Sequence, residues 1–332
     1  MSTIKDVAKQ AGVSIATVSR VINNLGGYSE DTRLKVQKAI VDSNFIINEM
    51  ARGLVANRSR LLGVMLPNLE TDVWNKIVEG IEKSSYENDY MILLAHTGDS
   101  QDHLIESVER FIERKVEGVI FLSRQINQEI IDKLTKANIK FIVTGTFDDN
   151  VDGSDYPFLK IDDYQASIDG MSLLLEKGYC NPVMIGGKSD DFVTTNFRYQ
   201  AFKDSLKLAG ITIDPNKVFI KDFSFDFGQK VVEDLILNQV KFDSIFCLSD
   251  EIALAAIEVL KINNIKVPDE VGILGFDDSR TSVMSVPKIT TIHQPLYRMG
   301  CVAVNKVLEA INKDSPIETE ILAHKLVIRE SL

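Results

Sequence analysis

The sequence is poor in the residues that announce a chemistry on their own. Its 332 residues hold three cysteines, four histidines and one tryptophan. Cys180, Cys247 and Cys301 are dispersed and form no CxxC pair, which argues against a disulfide framework or a zinc site and reads them as reduced or core residues. His96, His103, His293 and His324 form no HExxH or HxH pair, and the acids gather into no metal-like cluster, so no metal is expected. No apolar stretch is long enough to span a membrane, and the opening MSTIKDVAKQ lacks the apolar centre of a signal peptide. A cytoplasmic protein with no membrane partner is the expectation. Enzyme signatures are missing too. There is no GxSxG or GxGxxG, and GGKS at Gly186–Ser189 fails as a phosphate loop because Pro182 stands where its first glycine is required. Neither an enzyme nor a cofactor is expected.

What is present is an ordinary globular composition, 45% hydrophobic and 26% charged, on a chain long enough for two or more domains. The net charge of −11 speaks against a protein that coats nucleic acid over its whole surface. Its distribution changes that picture. Residues 1–60 carry nine Lys/Arg against five Asp/Glu, a balance of +4, which leaves −15 for the remainder. A small basic head on an acidic body suggests that only the head meets a polyanion.

The head reads as three short helices. Thr3 begins a capping-box pattern with Asp6, Val7, Ala8 and Ala11 form an apolar stripe, and Gly12 supplies a turn. Ser14 caps a second helix with Val18, Val21 and Ile22 inward. Ser29 caps a third, with Leu34, Val36, Ala39 and Ile40 inward. Helix, glycine turn, helix and a bracing third helix is the helix-turn-helix plan. There the start of the second helix enters the major groove, placing Ile15, Ala16 and Thr17 first and Ser19, Arg20 and Asn23 further along the outer face. Arg20 suits bidentate contact with guanine, and Ile15 and Ala16 offer apolar contact. Thr3, Ser14, Thr17 and Asn23 suit phosphate oxygens. A helical protein-docking module is the alternative.

TIKDVAKQAGVSIATVSRVIN closely resembles the head of the LacI/GalR family of bacterial transcription regulators. The resemblance implies that the next segment, INEMARGLVANRSR at Ile47–Arg60, is a hinge helix that folds when two copies meet in the operator minor groove. Asn48 would cap it, Ala51 would face the partner hinge, and Leu54 would wedge into the central base step. The residues fit independently, because a short basic helix interrupted by Gly53 is marginal alone and orders on a partner. Leu54 as a linker residue packed on the core is the alternative. One departure is that Ile47 stands where the family usually has proline, leaving φ free before the hinge.

Beyond Leu61, apolar runs alternate with amphipathic stretches. The runs are LLGVMLP, YMILLAH, GVIFLS, FIVTGT, FLKID, PVMIGG, VFIKD, SIFCLS, VGILGFD and TTIHQP. That rhythm predicts an α/β body of two doubly wound parallel-sheet subdomains with a cleft between them. The family resemblance extends over this body and implies a periplasmic-binding-protein fold with three chain crossovers. The expected organisation is a helix-turn-helix domain at 1–46, a hinge at 47–60 and an effector-binding and dimerisation core at 61–332. Within the core, the N-subdomain would take about 61–160 and 292–322, and the C-subdomain about 161–291 and 323–332.

Ligands in such sheets bind beyond the carboxyl ends of the strands. That places Trp74, Ser123, Thr194, Arg198, Phe223, Ser249, Asp277 and Gln294 as candidate effector contacts, with Trp74, Arg198, Phe223 and Asp277 foremost because they match family effector positions. Aromatic faces with a few Asp, Arg, Gln and Ser groups suit a polyhydroxy ligand. Each has another reading: Arg198 paired with an acid at the domain edge, Trp74 and Phe223 as core aromatics, Asp277 and Asp278 capping a turn. Asp250 reads as a helix cap. The expected function is a repressor of a carbohydrate-utilisation operon that binds a pseudo-palindromic operator as a homodimer and answers to a sugar or sugar phosphate. The alternative is a catabolite-control-like regulator with a serine-phosphorylated phosphocarrier protein as co-repressor, suggested by GVIFLS, IDDYQA and QPLYRMG. There Arg298 and Arg329 would help grip the phosphoserine, but Asn305 replaces an expected arginine. A purine-like effector is a third option. The chain stops at Leu332 with no heptad extension, so a dimer is expected, not a tetramer tied by a C-terminal bundle.

Overall fold

The structure, a computed structural model, describes residues 2–23, 25–45, 58–67, 71–98, 100–122, 126–145, 156–187 and 194–332. Two compact units emerge, residues 1–60 and 61–332. Ala51 and Leu54 of the expected hinge, and Ser123, lie outside the described residues, as does the side chain of Thr194.

In the first unit, helices α1 (Ile4–Ala11), α2 (Ile15–Ile22) and α3 (Glu30–Asp42) are started by the residues that the sequence marks. The Thr3 amide and hydroxyl both donate to the Asp6 carboxylate at 2.8 and 2.7 Å. Ser14 and Ser29 accept from the amides of Thr17 and Thr32, each cap being worth about 1 kcal/mol. Gly12 closes α1 in the left-handed conformation, with φ 66°. Val7, Ala8, Val18, Val21, Val36 and Ala39 make the small core. Leu34 is not in it. It is 55% exposed, because two residues before Val36 is about 200° round the helix from the buried stripe.

The second unit holds two six-stranded sheets. The first contains β1 (Leu61–Leu66), β2 (Met91–His96), β3 (Gly118–Leu122), β4 (Lys140–Thr144), β5 (Phe158–Ile161) and β11 (Glu320–Leu322). Its order is β11-β5-β4-β3-β1-β2, all parallel. The second contains β6 (Pro182–Ile185), β7 (Val218–Phe219), β8 (Ser244–Cys247), β9 (Gly272–Asp277), β10 (Thr290–His293) and β12 (Lys325–Val327), in the order β12-β10-β9-β8-β6-β7. Only β12 runs antiparallel, on β10. Strands β3, β8 and β9 are buried at every residue, as expected of a parallel sheet covered on both faces. The covering helices are α4 (Asp72–Glu87), α5 (Gln101–Glu113), α6 (Gln128–Lys136) and α12 (Leu296–Lys313) in the first half. In the second half they are α7 (Asp163–Glu176), α8 (Tyr199–Leu208), α9 (Phe225–Leu237), α10 (Asp250–Ile262) and the short α11 (Arg280–Met284). No helix among the described residues is long and apolar enough to cross a membrane.

Helices α4 and α12 pack backbone to backbone. A Cβ at Gly80 would lie 2.0 Å from the Tyr297 carbonyl oxygen, and one at Gly300 would lie 2.1 Å from that of Ile77, so only glycine permits this approach. The chain passes between the sheets three times: after β5, after β10, and between β11 and β12. The second passage comes after His293, later than the boundary near 291–292, because β10 continues pairing with β9 through His293 and Asp277. In each sheet the order reverses at one place, between β1 and β3 and between β6 and β8. Crevices open at such switch points, beyond the carboxyl ends of the strands.

Candidate functional site

Three of the expected ligand residues, Arg198, Asp277 and Gln294, belong to one buried polar group at the second sheet. Arg198 ends a five-residue π-turn, Thr194–Arg198. Its guanidinium lies 3.5 Å from the centroid of the Phe276 ring. It donates through Nε at 2.9 Å and pairs at 2.8 Å with Oδ1 of Asp163, and it donates to the Leu248 carbonyl at 3.0 Å. The guanidinium is thus partnered by an acid. Burying a guanidinium demands this compensation. Asp163, the first residue of α7, is a site residue that sequence reasoning misses. A mark exists in the sequence: an acid just past a strand end, beside the Asp162 that caps α7.

Asp277 ends β9 and is 8% exposed. Gln294 donates to it at 2.7 Å, so two expected residues from adjacent strand ends meet. Burial first, then the nearby Asp250 and Asp163, raise its pKa to about 8 against the pull of Arg198 and Gln294. Its carboxyl therefore favours the neutral form near pH 7 and can donate as well as accept. Asp277 and Asp278 both have positive φ, 104° and 55°, which costs backbone energy and recurs at ligand sites. Asp250 is structural, but not as the helix cap expected: Ser249 caps α10, and Asp250 ties that helix to the neighbouring segments. It accepts from the Ser279 amide at 2.7 Å and the Thr291 hydroxyl at 2.6 Å, and burial raises it to about 7.

Other residues take different places. The Ser249 hydroxyl is used in the fold, accepting from the Ile252 amide as cap of α10 and donating to the Phe223 carbonyl. Phe223 and Trp74 are half-buried and pack against the large central apolar cluster. Trp74 stands at the start of α4, on the first half. Asp278, adjoining the site, is clamped by Arg329 at 2.6 Å and His293 at 2.9 Å, which together hold its carboxyl down at about 2. Arg329 also donates to the Ile289 carbonyl and the Ser282 hydroxyl. It is thus an internal brace, not a free cation.

On the head, Ile15 is 44% exposed and Ala16 and Arg20 are exposed, while Thr17 and Ser19 are half-buried. The start of α2 is thus presented outward. The Thr3 hydroxyl already donates to Asp6, and that of Ser14 caps α2. Asn23 departs from the expected outer face. It is half-buried at the end of α2 and its amide donates back to the Ser19 carbonyl at 2.9 Å, because a residue capping a C-terminus turns toward the last open carbonyls.

Comparison with known proteins converges with this geometry. Residues 59–330 match the family described as periplasmic binding proteins and sugar binding domain of LacI family, and residues 3–48 match the bacterial regulatory proteins of the lacI family. The chain is 35% identical over 331 residues to the HTH-type transcriptional regulator RegA of Clostridium saccharobutylicum, with 99% of each chain covered. It is 29% identical to catabolite control protein A of Priestia megaterium, covering 99% of this chain and 98% of the relative. Among solved structures, the complex of the transcriptional regulator CelR with cellobiose superposes with a TM-score of 0.73 at 26% identity, covering all of both chains.

Proposed function

Because the chain belongs to the LacI family of bacterial regulatory proteins, we propose that its cleft binds a sugar or sugar phosphate and that this occupancy governs a carbohydrate-utilisation operon. The chain is a DNA-binding transcriptional repressor modulated by a small-molecule effector. One observation carries the sugar reading: Asp277 and Gln294 are joined at adjacent strand ends of the second sheet, close to the Arg198 guanidinium that lies on the face of Phe276. Such groups suit vicinal hydroxyls, and the aromatic surfaces of Phe223 and Trp74 suit the C–H faces of a ring. The CelR relative bound to cellobiose is consistent with this chemistry.

The protein acts in the cytoplasm as a homodimer. Met284 and Val286 are 68% and 74% exposed beside Val283; Met91 and Leu94 on the edge strand β2 are exposed too, and a second copy would cover them. Two heads then occupy successive major-groove half-sites with Arg20, Ile15 and Ala16 at base edges, while paired hinges place Leu54 in the minor groove. Effector binding favours the released arrangement only to the extent that it binds that arrangement more tightly.

The chain is similar to catabolite control protein A, but the side chains weigh against the phosphocarrier alternative. Arg329 is committed to Asp278, and Asn305 accepts from Ser84, which leaves Arg298 alone of the residues expected in that grip.

A thermal-shift panel of free sugars, sugar phosphates, nucleobases and the serine-phosphorylated phosphocarrier tests the proposal. A ligand at a hundred times its Kd stabilises by about 2.7 kcal/mol. A shift with one sugar, abolished in Asp277→Ala while DNA binding persists, is the expected result. A shift with the phosphocarrier alone overturns it.

A further inference from the structure

Lys160 and Asp163 stand on either side of the first passage between the sheets. Lys160 is in β5, paired there with Ile321 of the first sheet. Asp163 begins α7 in the second half. Each grips one member of a neighbouring pair, Phe197 and Arg198, on the π-turn. Lys160 Nζ lies 5.1 Å from the ring centroid of Phe158 and 5.5 Å from that of Phe197, in a setting where Lys160 is 7% exposed. Asp163 holds Arg198 at 2.8 Å.

The two grips point to opposite halves. Phe197 packs against the cluster built from Met65, Phe121 and Val143, all on strands of the first sheet. Arg198 lies on Phe276 and donates to the Leu248 carbonyl, both in the second half. Consecutive Cα atoms are about 3.8 Å apart, so one short piece of backbone carries an anchor into each half. The π-turn fits this duty, since an extra residue in a helical turn redirects side chains and recurs at functional sites.

We propose that Lys160 and Phe197 form a latch across the cleft, through which displacement of Arg198 by an effector is carried to the first half. The inference rests on the cleft being the effector site. A ligand that engages Arg198 competes with the Asp163 pairing and shifts the guanidinium. No freely rotating residue lies between Arg198 and Phe197 to absorb the shift, so Phe197 moves against its seat and against the Lys160 cation. Attraction of a desolvated ammonium to two rings is strong enough to resist that motion and short-ranged enough to fail abruptly, which suits a two-position element. Lys160 and Phe197 are positioning residues here. Neither needs to touch the effector.

The test uses the full chain and three variants: Lys160→Met, which keeps the apolar stem, Phe197→Leu, and the two combined. Hydrogen exchange is measured first, without ligand. Amides of residues 194–198 exchange at least roughly tenfold faster in each single variant, and the combined variant adds little, because either change opens the same latch. Unchanged exchange overturns the latch whatever any ligand does. The second readout is affinity for a DNA duplex selected by the wild-type protein from random sequence, with and without cellobiose or another sugar that binds the wild type. The expectation is sugar affinity within about threefold of wild type and a sugar effect on DNA affinity reduced about tenfold or more toward none. A preserved sugar effect overturns the transmission while leaving the effector reading intact, and it marks Phe197 as packing alone. If no sugar changes the wild-type protein's DNA affinity, the effector reading fails and the transmission fails with it.

Discussion

At the level of single residues, Asp277 and its neighbours shape how stability varies with pH. Its carboxyl rises from the ordinary 3.8 to about 8 and that of Asp250 to about 7, chiefly through burial. Between about pH 4 and these values the folded chain keeps protons that the unfolded chain has lost, so stability falls as pH rises through that window. Asp278, held near 2 by His293 and Arg329, has the opposite sign: its contribution is present above about pH 4 and is lost as pH falls toward 2. The melting temperature should therefore peak on the acid side of neutrality. Asp277→Asn should flatten the decline from pH 5 to 8 and raise the melting temperature at pH 8 by about 2 °C or more; melting curves parallel to the wild type across that range would dismiss Asp277 as the source. Asp277 is legible in the sequence because it ends a strongly apolar strand. The pairings made by Asp163 and Arg329 are not, because the partner of a buried charge is chosen by folding, from a position 35 or 51 residues away.

At the level of elements, caps and close packing set the stability. Gly300→Ala should destabilise the second unit by roughly 1–3 kcal/mol, since the new methyl meets the Ile77 carbonyl on α4 and the helices must part; urea denaturation measures it. Leu54→Ala should weaken operator binding strongly and leave sugar binding unchanged, because an apolar wedge acts only on DNA. Gel-shift titration beside calorimetry separates the two, and equal operator affinity would discard the hinge assignment. Ten strands are visible as apolar runs, each long or apolar enough to stand out, from β1 through β10. Strands β11 and β12 are not. Three residues each in ETEILAHKLVI offer no period, and their pairing is imposed by the sheets already in place. Leu34 misleads for a related reason: an apolar residue on a short helix looks inward until the phase of the buried stripe is known.

For the whole molecule, the alternation of apolar strands and amphipathic helices makes two doubly wound halves readable, since parallel strands need crossovers and crossovers need covering helices. The quaternary state is a matter of surface. Exposed Met284 and Val286 lie at α11 and just beyond it. The pair of changes Met284→Asp and Val286→Asp should convert a dimer to monomer in sedimentation and lower operator affinity, because one head alone reads only half a site. A dimer that survives both charges would place the contact elsewhere.

The third passage between the sheets bears on how the protein is made. The Ile273 amide donates to the Ser331 carbonyl at 2.8 Å, and the Ser331 hydroxyl returns to the Ile273 carbonyl at 2.6 Å. Arg329 supplies the brace on Asp278. The head needs nothing beyond its own sixty residues for its core. During translation it can therefore fold early, while the second half waits for residues 325–331 to emerge. A chain interrupted before that point would carry a finished head on an unfinished body, so only translation through Ser331 yields a repressor that can be both paired and released.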